Sequence, residues 1–296
     1  MKQIGLLINE TKPLALEAAE RLVHAYASRN DLCLLTREVV ARQLPGTLCR
    51  ASTDIEIAQS DFVIVFGGDG TLLAAARLVA PYGTPILGIH LGHFGFITEI
   101  APENLILAVD AALRGDCRIE ERLMLQGVIQ RANTSPEWEE SPEETLVAMN
   151  DIVAASGAVR MVHVRAQIGD DLLATYAADG VIVASPTGST GYSLSAGGPL
   201  VHPAAPVMII TPIAPHTLNA RALIVPDDET IHLTIERQTR DVVLVSVDGQ
   251  LDITLHPGDT VSVSRAPFNV RLLTQDGPNF YQKIRSRWHY GERILG

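Results

Sequence analysis

Two hydrophobic periods divide this chain of 296 residues. From residue 1 to about 115, compact apolar runs alternate with segments whose apolar positions recur at helical spacing. That alternation predicts strands followed by helices and an open parallel sheet. Ile4 to Ile8 reads as a first strand feeding a helix over Leu14 to Ala27, in which Leu14, Leu22 and Val23 form a core face. Phe62 to Phe66 reads as a strand feeding a helical segment from Leu72 to Val79, and Pro85 to Ile89 as a strand ending in the loop Gly92-His93-Phe94-Gly95-Phe96. Ligands of such sheets bind beyond the carboxyl ends of the strands. After about residue 120 the period shortens to two, as in Ile231, Leu233 and Ile235 or Val243, Val245 and Val247, with a hairpin from Val162 to Tyr176 through Gly169-Asp170-Asp171. This half predicts a sandwich of antiparallel strands. Thr134 to Glu144, acidic and punctuated by proline, reads as a solvated loop.

The densest chemistry in the first half is Gly67-Gly68-Asp69-Gly70-Thr71, directly after the strand Phe62 to Phe66. Glycines at a helix start let backbone N–H groups approach an anion, and Thr71 is placed to cap the helix that follows. A carboxylate beside a phosphate site needs compensation, either a divalent cation or a hydroxyl proton to accept, and both belong to phosphoryl transfer. Plain Asp-Gly turn chemistry is the alternative, since Asp179-Gly180 and Asp248-Gly249 repeat the pair.

In the second half the apolar run Val181 to Ala184 opens into Ser185-Pro186-Thr187-Gly188-Ser189-Thr190-Gly191-Tyr192-Ser193-Leu194-Ser195. Small hydroxyls and glycines suit the edges of a base and a ribose, with Tyr192 available to cover a ring. No serine there has the glycine spacing of a nucleophile elbow, and a surface loop is the competing reading. Asn150-Asp151, inside the apolar stretch from Leu146 to Ala154, is a costly pair unless hydrogen-bonded to backbone or ligand. Gly249-Gln250 offers an amide near a hairpin turn. His90, His93 and His216 read as packing or loop residues.

Charge narrows the partners. A net charge of −11 and a pI near 5.2 argue against nucleic acid or an anionic membrane surface. An anionic ligand must then be held by backbone amides, a few arginines and metal. Cys33, Cys49 and Cys117 have no metal-type spacing, and their odd number fits a reduced, cytoplasmic protein. No signal-peptide pattern and no apolar run of about 20 residues is present in the sequence.

Taken together, Gly67-Gly68-Asp69-Gly70-Thr71, the loop from Gly92 to Phe96, Asn150-Asp151 and Ser185 to Ser193 resemble the bacterial NAD kinase family in content and order, over nearly the whole chain. The first motif alone is shared with diacylglycerol-type lipid kinases and phosphofructokinases; the second is the specific one. The resemblance implies a Rossmann-like α/β domain over residues 1–120, completed by a returning segment at about 272–296, and a β-sandwich NAD-binding domain over 121–271. It implies transfer of the terminal phosphate of ATP to the 2′-hydroxyl of the adenosine ribose of NAD, giving NADP. Asp69 matches the proton acceptor, and Gly67, Gly68, Asp69, Gly70 and Thr71 the phosphate loop. Mg²⁺ or another divalent cation would be held mainly by the ATP phosphates, with no protein ligand assigned. NAD contacts carry over to Asp69, Gly70, Asn150, Asp151, Arg160, Asp179, Thr187, Thr190, Gly191, Tyr192, Ser193, Leu194, Ser195 and Gln250. Also implied are polyphosphate as a further candidate donor, and a homodimer or homotetramer whose subunits complete each other's NAD pockets. Three positions depart from the family pattern: Gly191 stands where alanine is usual, Ala177 where some members carry arginine, and Ile97 where some carry tyrosine.

Overall fold

In the computed structural model, which describes residues 1–46, 48–92, 95–97, 100–132, 144–158, 161–239, 242–275 and 279–288, the unbroken apolar runs of the first half become parallel strands. They are β1 (Lys2–Ile8), β2 (Leu32–Thr36), β3 (Cys49–Ala51), β4 (Phe62–Gly67) and β5 (Ile86–His90), in the order β3-β2-β1-β4-β5. Every residue of β4 and β5 is buried, as a parallel sheet covered on both faces requires. Helices α1 (Pro13–Tyr26), α2 (Glu38–Ala41), α3 (Asp54–Ala58), α4 (Asp69–Val79) and α5 (Leu105–Arg114) connect them. Ile4, Leu6, Leu34, Ile64, Phe66 and Leu87 share one apolar cluster with α1 and α5. Each large side chain fully buried there contributes about 1.5–3 kcal/mol relative to exposure. The strand order reverses between β1 and β4, so the loops leaving these two strands diverge and open a crevice at their carboxyl ends.

Two local expectations are corrected. The buried stripe of α1 is Ala15, Ala18, Ala19, Leu22, Val23 and Tyr26. Leu14 is 58 % exposed, because Pro13 starts the helix with Leu14 in its first turn, outside that stripe. Second, α4 begins at Asp69, three residues before the apolar segment at Leu72, and its N-cap is Gly68. Thr71 is therefore inside the first turn and does not cap the helix.

The chain enters a second unit, Arg122–Asn269, within β6 (Arg118–Gln130); the first unit comprises Met1–Glu121 and Val270–Gly296. There follow β7 (Glu144–Ala148), β8 (Asp151–Ser156), β9 (Val162–Ile168), β10 (Asp171–Ala178), β11 (Gly180–Ala184), the short helix α6 (Tyr192–Ser195), β12 (Val207–Ile213), β13 (Leu223–Pro226), β14 (Ile231–Ile235), β15 (Val243–Val247), β16 (Leu251–Leu255) and β17 (Thr260–Thr274). One antiparallel sheet runs β10-β9-β14-β17, with β6 and β7 joined to it, and the other runs β13-β12-β11-β8-β15-β16. Alternate residues of both, among them Val164, Leu233 and Val261 from one and Ala154, Val183 and Val245 from the other, meet in a single apolar core. This is the sandwich that a period of two predicts. The outer face of the six-stranded sheet is also buried, with Val153, Ile182 and Ile209 packing against Val201 of the segment after β11. The end of β17 pairs parallel to β5 at Leu272 and Ile86, and the chain ends through α7 (Phe280–Trp288) in the first unit. His93, Phe94, Arg160 and residues 134–143 of the acidic segment lie outside the described residues. Among those described, no helix is long and apolar enough to cross a membrane.

Candidate active site

β4 ends at Gly67 and α4 begins two residues later, so the chain must turn within Gly67-Gly68. A Cβ on Gly67 would lie 2.3 Å from Thr71 Oγ1, which explains why only glycine fits. The Gly68 carbonyl accepts from the Thr71 and Leu72 amides at 3.0 and 3.1 Å, starting the helix. Asp69 thus occupies the first turn of an 11-residue helix, where the macrodipole favours negative charge and the leading amides point outward. Gly70 beside it is exposed.

The Asp69 carboxylate is held from the loop after β5. The Phe96 N–H donates to Oδ2 at 2.7 Å and the Ile97 N–H to Oδ1 at 3.3 Å. A Cβ on Gly95 would fall 1.7 Å from Asp69 Oδ1, so glycine is required for this approach. Lys283 of α7, 8 % exposed, donates from Nζ to the Phe96 carbonyl at 3.4 Å. From the loop after β1, Asn9 Nδ2 donates to Thr71 Oγ1 at 3.1 Å and Lys12 Nζ donates to the Leu91 carbonyl at 3.1 Å. Lys12 Nζ is 3.8 Å from the place a side chain would take at Gly68, so a cation stands over the glycine turn. Sequence reasoning misses Asn9, Lys12 and Lys283. The Asn9-to-Lys12 segment directly after a strand is the available signal for the first two; for Lys283 there is none.

In the second unit, Asn150-Asp151 stands where β8 begins, at the same end of the sheet as the loop leaving β11. The pair is fixed by Asp248: its Oδ1 accepts from the Asn150 and Asp151 amides at 2.7 and 3.3 Å, and its Oδ2 from the Met149 amide at 3.2 Å. Asp248 and Gly249 have φ of 51° and 64°, a left-handed turn between β15 and β16 that the Asp-Gly pair permits. Asp248 thus shapes the site, although the sequence offers it only as a turn residue. Ser185 donates its hydroxyl to the Met149 carbonyl, and its amide donates to the Asn150 carbonyl at 2.8 Å. A Cβ on Gly188 would come within 2.1 Å of that same carbonyl.

Several residues named from the sequence therefore converge. The place a side chain would take at Gly191 is 3.6 Å from Asn150 Nδ2 and 3.9 Å from Asp151 Oδ2. Thr187 Oγ1 and Asn150 Oδ1 are buried polar atoms with no hydrogen-bond partner among the described residues, so a water or a ligand atom there would satisfy them. Asp151 is 5 % exposed, and burial, reinforced by the Asp248 carboxylate, pushes its pKa up to about 7. Thr190 donates to the Thr187 carbonyl at 3.2 Å, and Ser193 shares a buried hydroxyl contact of 2.9 Å with Thr211. Tyr192 is 48 % exposed and Ser195 is exposed, while Leu194 is half-buried. Gln250 is exposed in the turn after β15, whose end pairs with the start of β8, so it belongs to the same end of the sheet. Asp179 does not: it is exposed at the opposite end of β11. His90 is buried at the end of β5, and His216 is exposed in a loop.

A glycine-walled helix start bearing a fixed carboxylate, on an α/β unit joined to a β-sandwich that carries a cluster of buried polar groups, is an arrangement suited to a phosphotransferase. Residues 4–117 match the ATP-NAD kinase N-terminal domain and residues 149–275 the ATP-NAD kinase C-terminal domain. The chain is 45 % identical over 295 residues to an NAD kinase of Moorella thermoacetica, covering 98 % of this chain and 90 % of that one. It is 40 % identical over 295 residues to an NAD kinase of Heliobacterium modesticaldum, covering 98 % and 100 %. In fold it is similar to a yeast NADH kinase solved with NADH (TM-score 0.90, 22 % identity, covering 100 % of this chain and 90 % of that chain). It is also similar in fold to an NAD kinase from Archaeoglobus fulgidus solved with ATP (TM-score 0.71, 23 % identity, covering 96 % and 98 %). The chain belongs to the ATP-NAD kinase family and has that family's activity, the phosphorylation of NAD to NADP.

Proposed function

We propose that Asp69 accepts the proton of the adenosine ribose 2′-hydroxyl of NAD as that oxygen attacks the terminal phosphorus of ATP. The observation that carries this is the double amide grip on Asp69. The Phe96 and Ile97 amides each donate to one of its oxygens and so fix the plane of the carboxylate at the start of α4. Phosphoryl transfer asks for alignment and charge neutralisation more than covalent chemistry. The first turn of α4 and Lys12 supply positive potential for the phosphates.

Among the described residues no three His, Cys, Asp or Glu side chains come together as a metal cage. A single carboxylate beside a phosphate-binding helix start fits Mg²⁺ held chiefly by ATP oxygens, since Mg²⁺ commonly takes one or two carboxylates plus phosphates. Bound there, it would neutralise charge on the phosphates. Asn150, Asp151, Thr187, Thr190, Gly191, Tyr192, Ser193, Leu194, Ser195 and Gln250 hold NAD, with the buried Thr187 hydroxyl and Asn150 amide oxygen taking hydrogen bonds with it. Arg160 and Gly70 complete the proposed contacts. Asp179 completes the pocket of a second copy within a homodimer or homotetramer, and the protein works in the cytoplasm; polyphosphate is a further candidate donor.

The test is NADP formation from NAD, ATP and Mg²⁺ by the Asp69→Asn variant. Turnover is expected to fall at least ~10²-fold, the lower range for a lost general base; near-normal turnover would remove Asp69 from the role.

A further inference from the structure

We infer that Gly191 lets the acceptor pocket take an adenine that carries a further amino group at C2; this rests on the NAD pocket proposed for the second unit. Gly191 is half-buried, and the place a side chain would take there is bounded by three polar atoms. These are the Gly188 carbonyl oxygen at 3.3 Å, Asn150 Nδ2 at 3.6 Å and Asp151 Oδ2 at 3.9 Å. The family's usual alanine would put a methyl group in this place, and a methyl group makes no hydrogen bond. An amino group there comes within reach of the Gly188 carbonyl after a small shift. That oxygen can accept twice, and the Gly191 amide donates to it once, at 2.9 Å. Asp151, once ionised, adds negative potential beside it, which favours a donor.

The same wall indicates which edge of the purine faces it. Thr187 Oγ1 and Asn150 Oδ1 are buried without a hydrogen-bond partner among the described residues. A hydroxyl can donate and an amide oxygen accepts, and adenine offers the complementary pair on its Watson–Crick edge, the N1 acceptor beside the 6-amino donor. C2 adjoins N1 on that edge, whereas C8 lies next to the ribose. Tyr192, the residue after Gly191 and 48 % exposed, is available to cover the ring face. A purine docked by this edge turns C2 towards the stretch between Thr187 and Tyr192. Within that stretch a Cβ on Gly188 would lie 2.1 Å from the Asn150 carbonyl, so Gly188 leaves no room; the open place is at Gly191.

The 2-aminoadenine analogue of NAD differs from NAD by that one group, so the ratio of their kcat/KM values with ATP and Mg²⁺ is the readout. The wild-type protein is expected to use the analogue within about tenfold of NAD. In Gly191→Ala the ratio is expected to move at least tenfold in favour of NAD, whatever the change for NAD itself, because one carbon in a close pocket discriminates by about 10–200-fold. An unchanged melting temperature checks that the variant keeps its fold. A ratio that alanine leaves unchanged would overturn the proposal, since Gly191 would then act on the loop and not on the added group. Refusal of the analogue by the wild-type protein would overturn it too. Failure of the pocket reading shows separately: Thr187→Val is expected to raise the KM for NAD at least about fivefold, and an unchanged value would defeat the pocket on which the proposal stands.

Discussion

Asp151 is held where its own charge is least welcome. Burial, and next to it the Asp248 carboxylate, raise its pKa from 3.8 to about 7. A folded-state pKa above the unfolded one means that the native chain binds the proton more tightly. This group therefore opposes folding least below about pH 4, and increasingly as pH climbs towards 7. A shift of ~3 units corresponds to roughly 4 kcal/mol as an upper bound. Asp151→Asn should accordingly raise the melting temperature at pH 8, with the gain shrinking towards pH 4; a gain independent of pH would contradict this. In the proposed role the cost serves a carboxylate placed against Asn150 and Gly191 and available to accept from a ribose hydroxyl of NAD. At the neighbouring Gly191, an added Cβ would meet nothing nearer than the Gly188 carbonyl at 3.3 Å, so the family's usual alanine fits with a small adjustment.

Among the elements, α7 carries the clearest consequence. The buried Lys283 holds the Phe96 carbonyl, and the Phe96 amide holds Asp69, so a helix from the end of the chain orients a carboxylate that lies 214 positions earlier in the sequence (283 against 69). Lys283 is a positioning residue. Lys283→Met should lower kcat about tenfold, equivalent to ~1.4 kcal/mol, with little change in the KM for NAD, and Lys283→Arg should recover most of the loss. An unchanged kcat in the Met variant, or no recovery with Arg, would contradict the role. The same link shows what is legible in the chain itself. β4, its glycine turn and the strand entering Ser185 to Ser195 announce themselves because their signals are local: an apolar run, then small residues. The start of α4 at Asp69 escapes the pattern because the apolar positions begin only at Leu72, while the backbone of Gly68 already starts the helix. Asn9 and Lys12 are marked only by their place directly after β1, Lys283 by no local pattern, and Asp248 only as a turn residue, because it acts through main-chain amides, which carry no residue identity.

For the whole molecule, Asp179 sets a requirement. It stands at the far end of β11 from Ser185, about 20 Å away at ~3.4 Å per residue over the six residue steps that separate them across the strand. Within one sandwich unit it cannot join Thr187 and Ser195. Its assignment to an NAD pocket therefore demands a second copy, and a closed symmetric assembly supplies one. Sedimentation at assay concentration should show a dimer or tetramer. A monomer that forms NADP at the full rate would remove Asp179 from the pocket.

The proposed chemistry comes down to one carboxylate, fixed by two backbone amides at the start of α4, taking the proton of a sugar hydroxyl during phosphate transfer. Turnover and NAD affinity measured on a single preparation of Asp69→Asn decide it, because the variant keeps the size of the side chain and its ability to accept from Phe96. NADP formation should be lost while the Kd for NAD stays within about threefold of wild type. Retained turnover, or NAD binding lost together with turnover, would contradict that role for Asp69.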